Sequence, residues 1–136
     1  MTAVVRADPE RVRDAVKDLS GYPSWLGFVL VAAPAVGGGA WLVDIGARLG
    51  PFRRSKRLRM VSVGTDDAWR CRYERCELDG RNHSPWVLEA TVVPVPEGAE
   101  LVMDLSYGGG MWLPGLDLVL DAEIRGAGRR LERHLA

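Results

Sequence analysis

Hydrophobic and polar residues alternate along most of this chain, and the two regions where they do not are the regions that predict helices. Trp41, Val43, Ile45, Ala47 and Leu49 fall on one side of a strand, with Asp44 and Arg48 on the other. Leu58 and Met60 then alternate with Arg57 and Arg59 in a strand running to Val63, and Trp69, Cys71 and Tyr73 alternate with Arg70, Arg72 and Glu74. Asp79-Gly80 has the composition of a hairpin turn, returning through Trp86, Leu88, Ala90 and Val92 until Pro94 and Pro96 stop the strand. Leu101, Met103, Leu105 and Tyr107 alternate in turn with Val102, Asp104 and Ser106. Thr2 to Ala7 reads as a short opening strand, and Phe28 to Val36 as another, closed by the turn Gly37-Gly38-Gly39. Alternation this regular gives a sheet one dry face and one wet face.

Helical spacing appears near the two ends. Asp8-Pro9-Glu10 supplies a capping side chain, a proline suited to the first helical position and an acid at the positive end of the dipole. Val12, Ala15, Val16 and Leu19 follow as a buried stripe that Ser20-Gly21 ends, and Tyr22-Pro23-Ser24-Trp25 opens a second short helix that turns Trp25 inward. From Pro114 to His134, Leu116, Leu120, Ile124, Ala127 and Leu131 recur at steps of four, four, three and four. They form one apolar stripe on a helix of roughly 30 Å, with acids early and bases late to suit its dipole. Gly126 and Gly128 interrupt that helix at up to about 1 kcal/mol each, which predicts that it comes close to the sheet there or else bends to make room, close packing being the first reading. The predicted class is therefore α+β: about six or seven antiparallel strands, two short helices after the first strand, and a long C-terminal helix. One helix cannot cover so wide a dry face. The sheet must curve around it, and space left between them becomes a cavity.

Composition narrows the function. The 136 residues, 47% hydrophobic and 26% charged, suit one globular domain spanning 1–136. Eighteen basic residues balance 18 acidic ones, which argues against a general DNA or RNA binder. The cluster Arg53, Arg54, Lys56, Arg57 and Arg59 reads as a solvated face, or more sharply as a peripheral contact with an anionic surface. Phe28 to Val36 is too short for a transmembrane segment, and the N-terminus has no signal-peptide pattern, so the expected location is cytoplasmic. Cys71 and Cys76 face apart in a regular strand, no CxxC pair is present, and His83 and His134 lie in unrelated segments. No metal and no cofactor are expected. Gly108-Gly109-Gly110 precedes Met111-Trp112-Leu113-Pro114 rather than the lysine or hydroxyl of a phosphate loop, and so reads as a simple turn or a greasy lid.

Several local patterns together resemble a known superfamily. They are Ala7-Asp8-Pro9-Glu10-Arg11-Val12 after a short strand, Asp18-Leu19 and Tyr22-Pro23-Ser24-Trp25, the segment Tyr73-Glu74-Arg75 with Asp79-Gly80-Arg81, and the closing leucine-rich helix. The chain is similar over its length to the START-like, helix-grip (SRPBCC) superfamily, in its polyketide cyclase/dehydrase and lipid-transport group. The resemblance implies a hydrophobic cavity between sheet and C-terminal helix that takes lipids, polyketides or other greasy molecules. The first strand of this chain is shorter than that pattern, which predicts an exposed edge. The residues expected to contact a ligand are Trp41, Tyr73, Arg75, Trp86, Met103, Tyr107, Met111, Trp112, Leu116 and Leu120. Arg75 shares the inward phase of Tyr73, with Glu77 as a partner, unless a bulge turns it to solvent. Asp44, Glu74, Glu89 and Asp104 read as outward, so no catalytic residue is assigned. The first reading is a module that binds or transports a small hydrophobic molecule. A cyclase, aromatase or dehydrase and an interaction module working through the basic surface are the alternatives, and a homodimer is left open.

Overall fold

The computed structural model describes residues 1–49, 51–108 and 116–136, with side chains for all of these except 47–49, 52–54 and 116–117. In chain order the elements are β1 (Thr2–Val5), α1 (Pro9–Val16), a 3₁₀ turn (Leu19–Ser24), β2 (Val29–Pro34), β3 (Ala40–Leu49), β4 (Phe52–Val63), β5 (Arg70–Arg75), β6 (Trp86–Val95), β7 (Gly98–Tyr107) and α2 (Leu116–Leu135). Asp8 caps α1 by accepting from the Glu10 amide at 2.9 Å, with Pro9 in the first turn. Asp18 likewise accepts from the Ser20 amide at 3.1 Å. That cap starts the turn at Leu19, so Tyr22-Pro23-Ser24 ends a helical segment rather than opening one. Trp25 follows it, buried as expected.

The seven strands form one sheet in the order β1-β7-β6-β5-β4-β3-β2, every neighbour antiparallel. α2 touches β1 at one edge and β3 near the other. A flat sheet cannot present both to one helix, so the sheet is curled into a half-barrel with α2 in its grip. The alternation holds: Val43, Ile45, Leu58, Met60, Cys71, Tyr73, Trp86, Leu88, Ala90 and Met103 are buried on the concave face. Leu120, Ile124, Ala127 and Leu131 of α2 complete the same core. The close approach of α2 is real at Gly128, where a Cβ would sit 3.0 Å from the Ala3 Cβ and 3.1 Å from the Val4 carbonyl. At Gly126 the space is taken by the Arg130 guanidinium instead.

Two local expectations need correction, and a third holds with a longer loop. The Phe28–Val36 strand is only Val29–Pro34, because turn hydrogen bonds from Val29 N to Leu26 O (3.0 Å) and from Ala35 N to Ala40 O (2.8 Å) bound it, and a register shift between Val29 and Val31 interrupts its pairing with β3. Asp79-Gly80 does lie in the connection of the antiparallel β5–β6 hairpin, where Gly80 (φ 72°) supplies a left-handed position, but that connection is long, residues 76–85. Pro94 does not stop β6, which runs on to Val95 before the tight turn into Gly98 (φ 142°). Among the described residues no helix is long and apolar enough to cross a membrane.

Candidate functional site

The concave face and α2 do not quite fill the space they enclose. An apolar cavity of about 30 Å³ lies against Leu19 and Phe28, Val29 of β2, Val43 and Ile45 of β3, Leu58 and Met60 of β4, Tyr73 of β5, Trp86 and Leu88 of β6, and Leu105 of β7. It offers room for about one or two water molecules, but its walls have almost no polar group to hold them. Apart from the Trp86 indole nitrogen, Tyr73 carries the one polar side-chain atom of the described lining, and its hydroxyl donates to the Val16 carbonyl at 2.7 Å.

Beside this void a cleft of about 210 Å³ opens between β7 and the first half of α2, lined by Met1, Met103, Asp104, Leu105, Tyr107, Leu120, Asp121 and Ile124. Leu105 belongs to both linings. β1 pairs with residues 99–102 of β7, and Met1 exchanges backbone hydrogen bonds with Met103 at 2.8 and 3.0 Å. The cleft begins where that pairing stops.

The residues assigned to the pocket from sequence therefore divide. Tyr73 and Trp86 line the interior, and Met103, Tyr107 and Leu120 line the cleft. Trp86 stacks on Tyr107 with ring centroids 4.9 Å apart and planes at 19°, which links the two groups. Trp41 is half-buried and meets Tyr73 edge-on at 5.5 Å, and is not among the residues that line either space. Met111 and Trp112, and the side chain of Leu116, lie outside the described residues. Sequence reasoning missed Leu105, although its phase matches that of Met103 and Tyr107; preference for aromatic and helical residues hid it. It also missed Leu19 and Phe28 as lining: helical spacing marks Leu19 as buried without saying what it faces, and Phe28 reaches the cavity from the turn before β2.

Arg75 lines neither space. Its Nε is 2.7 Å from Glu77 Oε2, with 8% and 19% of the two side chains exposed, so the expected partner is present and the solvent-facing alternative is not. Its Nη1 donates to the Ser84 carbonyl at 3.2 Å, and its Nη2 faces His83 Nδ1 at 3.3 Å. A guanidinium can only donate, so Nδ1 must accept, and the His83 proton sits on Nε2, directed at Asp79 Oδ2 2.8 Å away. The backbone amide of Arg81 and then His83 hold the Asp79 carboxyl below its usual range. Burial, and then the charge of Arg75, lower the Lys56 pKa. Elsewhere on the basic cluster Arg57 makes a two-pronged contact with Asp44 at 2.7 and 3.1 Å, and Arg59 donates to the Cys76 carbonyl at 3.0 Å. The side chains of Arg53 and Arg54 lie outside the described residues.

Behind the cavity, three donors converge on one helix-terminal carbonyl. Tyr22 and Tyr73 hydroxyls both donate to Val16 O at 2.7 Å, and the Cys71 thiol does so at 3.1 Å. Burial pushes all three pKa values up. Among the described residues no group of three or more His, Cys, Asp and Glu side chains could hold a metal ion.

Residues 1–136 match the sequence family described as polyketide cyclase / dehydrase and lipid transport. Comparison with curated protein sequences gives no match. Solved structures share the fold at low identity. A Thermus thermophilus protein superposes with a TM-score of 0.68 at 19% identity, covering 99% of this chain and 94% of that one. A START superfamily protein from Mycobacterium smegmatis gives 0.66 at 14% identity, with 99% and 94% covered. A STAR-related lipid transfer protein fragment from Xanthomonas axonopodis gives 0.63 at 15% identity, with 98% and 82% covered.

Proposed function

The chain belongs to the polyketide cyclase/dehydrase and lipid-transport family, and on that premise we propose that it binds or carries a small hydrophobic molecule between its sheet and α2. The observation that carries this reading is the continuity at Leu105: an interior lined by apolar side chains lies one leucine away from a cleft open to solvent. Burial of apolar surface supplies the affinity, at about 25 cal/mol for each Å² removed from water. Pockets for drug-sized ligands occupy about 300 Å³ or more, so the 30 Å³ interior is a closed state that Leu105 and its neighbours must open. Binding is favoured over acid–base turnover because the described cavity lining offers no titratable group but the Tyr73 hydroxyl, already committed to Val16. Arg75, engaged with Glu77, Ser84 and His83, is a structural tie in this reading.

The test is native mass spectrometry of protein purified from cells, followed by solvent extraction, alongside titration with a neutral fluorescent naphthylamine. Co-purifying apolar molecules, or saturable enhancement of fluorescence, are the expected results. A protein that carries nothing extractable and leaves the dye dark would defeat the proposal.

A further inference from the structure

On β4 the apolar wall of the interior ends at Leu58, and the next side chain in the same phase is Lys56. It follows Met60 and Leu58 along the strand and stands opposite Ile45 across the ladder. Those three residues line the cavity, so Lys56 adjoins its wall from two directions. Ser55 and Arg57 alternate to the other face, where both are exposed, whereas Lys56 is half-buried. The register also sets Arg75 opposite Met60, but Arg75 is matched by Glu77 at 2.7 Å, and the pair is neutral as a unit. Lys56 has no such match: among the described residues it takes part in no ion pair. Burial and the charge of Arg75 both disfavour its protonated form, and Glu77 offsets them only in part. An anion beside the ammonium would remove a cost that the chain itself leaves uncompensated.

We propose that the ligand is an amphiphile whose apolar body fills the interior and whose single negative charge, of the carboxylate class, pairs with Lys56 at the edge of the concave face. This rests on the hydrophobic-ligand reading and adds orientation and head-group class to it. One charge is specified because one ammonium is unmatched, while the Glu77 carboxylate nearby opposes a second negative charge. A single ammonium–carboxylate contact at a half-buried rim changes affinity by about ten-fold.

The experiment is competition against a neutral naphthylamine dye at neutral pH, with dodecanoate, dodecanol and dodecylammonium, each below its micellar concentration. Dodecanoate should displace the dye at concentrations at least about ten-fold lower than dodecylammonium. Lys56→Met keeps an apolar stem and should weaken dodecanoate by about ten-fold while moving dodecanol by less than about two-fold. Lys56→Glu, with circular dichroism as the check on folding, should reverse the order of dodecanoate and dodecylammonium. Arg57→Gln removes a charge from the adjacent residue on the opposite face and should leave the dodecanoate-to-dodecanol ratio within about two-fold of native. A ratio untouched by Lys56→Met, or shifted as far by Arg57→Gln, overturns the head-group assignment and leaves hydrophobic binding standing. Failure of the unmodified protein to bind the dye or any of the three overturns the underlying reading instead.

Discussion

At the scale of single residues, the Val16 carbonyl shows why a buried polar atom is best judged by its partners. It ends α1 and receives Tyr22, Tyr73 and Cys71, whereas a carbonyl oxygen has two lone pairs. Losing one phenol leaves the oxygen satisfied, so Tyr22→Phe and Tyr73→Phe should each lower stability by about 1 kcal/mol. Losing both leaves a weak thiol donor, and the double variant should exceed the sum by about 1 kcal/mol in urea unfolding. The same hydroxyls set an alkaline limit. Burial raises both above the ordinary value of 10.0, so above that pH the unfolded chain releases protons that the folded one keeps. Stability is unaffected by these groups below that point and falls as pH rises beyond it. The urea midpoint should therefore drop more steeply between about pH 9 and 11 in the native protein than in Tyr22→Phe/Tyr73→Phe. The inward position of Tyr73 was legible from alternation, but the partner of its hydroxyl was not. Val16 lies 57 residues away on another element, and periodicity carries no information about which carbonyl a helix end presents.

At the scale of elements, the stripe Leu120, Ile124, Ala127 and Leu131 was legible because helix and sheet bury opposite periodicities. What the stripe does not specify is how α2 is held in register along the groove. Arg130 does this from the flank, donating to the Trp25 carbonyl at 2.9 Å and to the Glu123 carbonyl at 2.8 Å, with Glu123 Oε2 at 3.1 Å. The segment it holds passes so close that a Cβ on Gly27 would overlap the Glu123 carboxylate. Gly27→Ala should destabilise by about 1 to 3 kcal/mol, as overpacking does. In a Glu123→Ala background the same change should cost about 1 kcal/mol less, which a four-member cycle of unfolding energies measures. Equal costs in both backgrounds would mean that Glu123 swings clear and the contact is not a constraint. Gly128 behaves differently, because its neighbour Val4 O is backbone and cannot rotate away. Gly128→Ala should lose stability despite the better helix former, seen as a lower thermal midpoint. The length of the loop 76–85 was not legible for a related reason. Asp-Gly marks a left-handed position wherever it occurs, and nothing local reveals that the chain makes an excursion to place His83 and Ser84 around Arg75.

At the scale of the whole molecule, curvature follows from two mismatched areas, a seven-strand dry face and one helix, and that inference was available from the sequence. The volume left over was not, because it is a small difference between large packed volumes, and a pattern that marks side chains such as Leu19 and Leu105 as buried does not say which of them meet an unfilled space. A ligand must therefore be admitted at the expense of contacts that close the interior, and the affinity measured is reduced by the cost of opening. Leu88 lines the cavity, whereas Leu101, equally a core leucine of the sheet, does not. Truncating either to alanine should cost about 2 to 5 kcal/mol in the ligand-free protein. Only Leu88→Ala creates its empty volume where the ligand goes, so it alone should bind a naphthylamine dye more tightly than the native protein. At dye concentrations of about 100 times Kd, binding restores about 2.7 kcal/mol, and the thermal midpoint of Leu88→Ala should recover by more than that of Leu101→Ala. Identical recovery in the two variants would place the dye elsewhere than the space beneath α2, and with it the ligand.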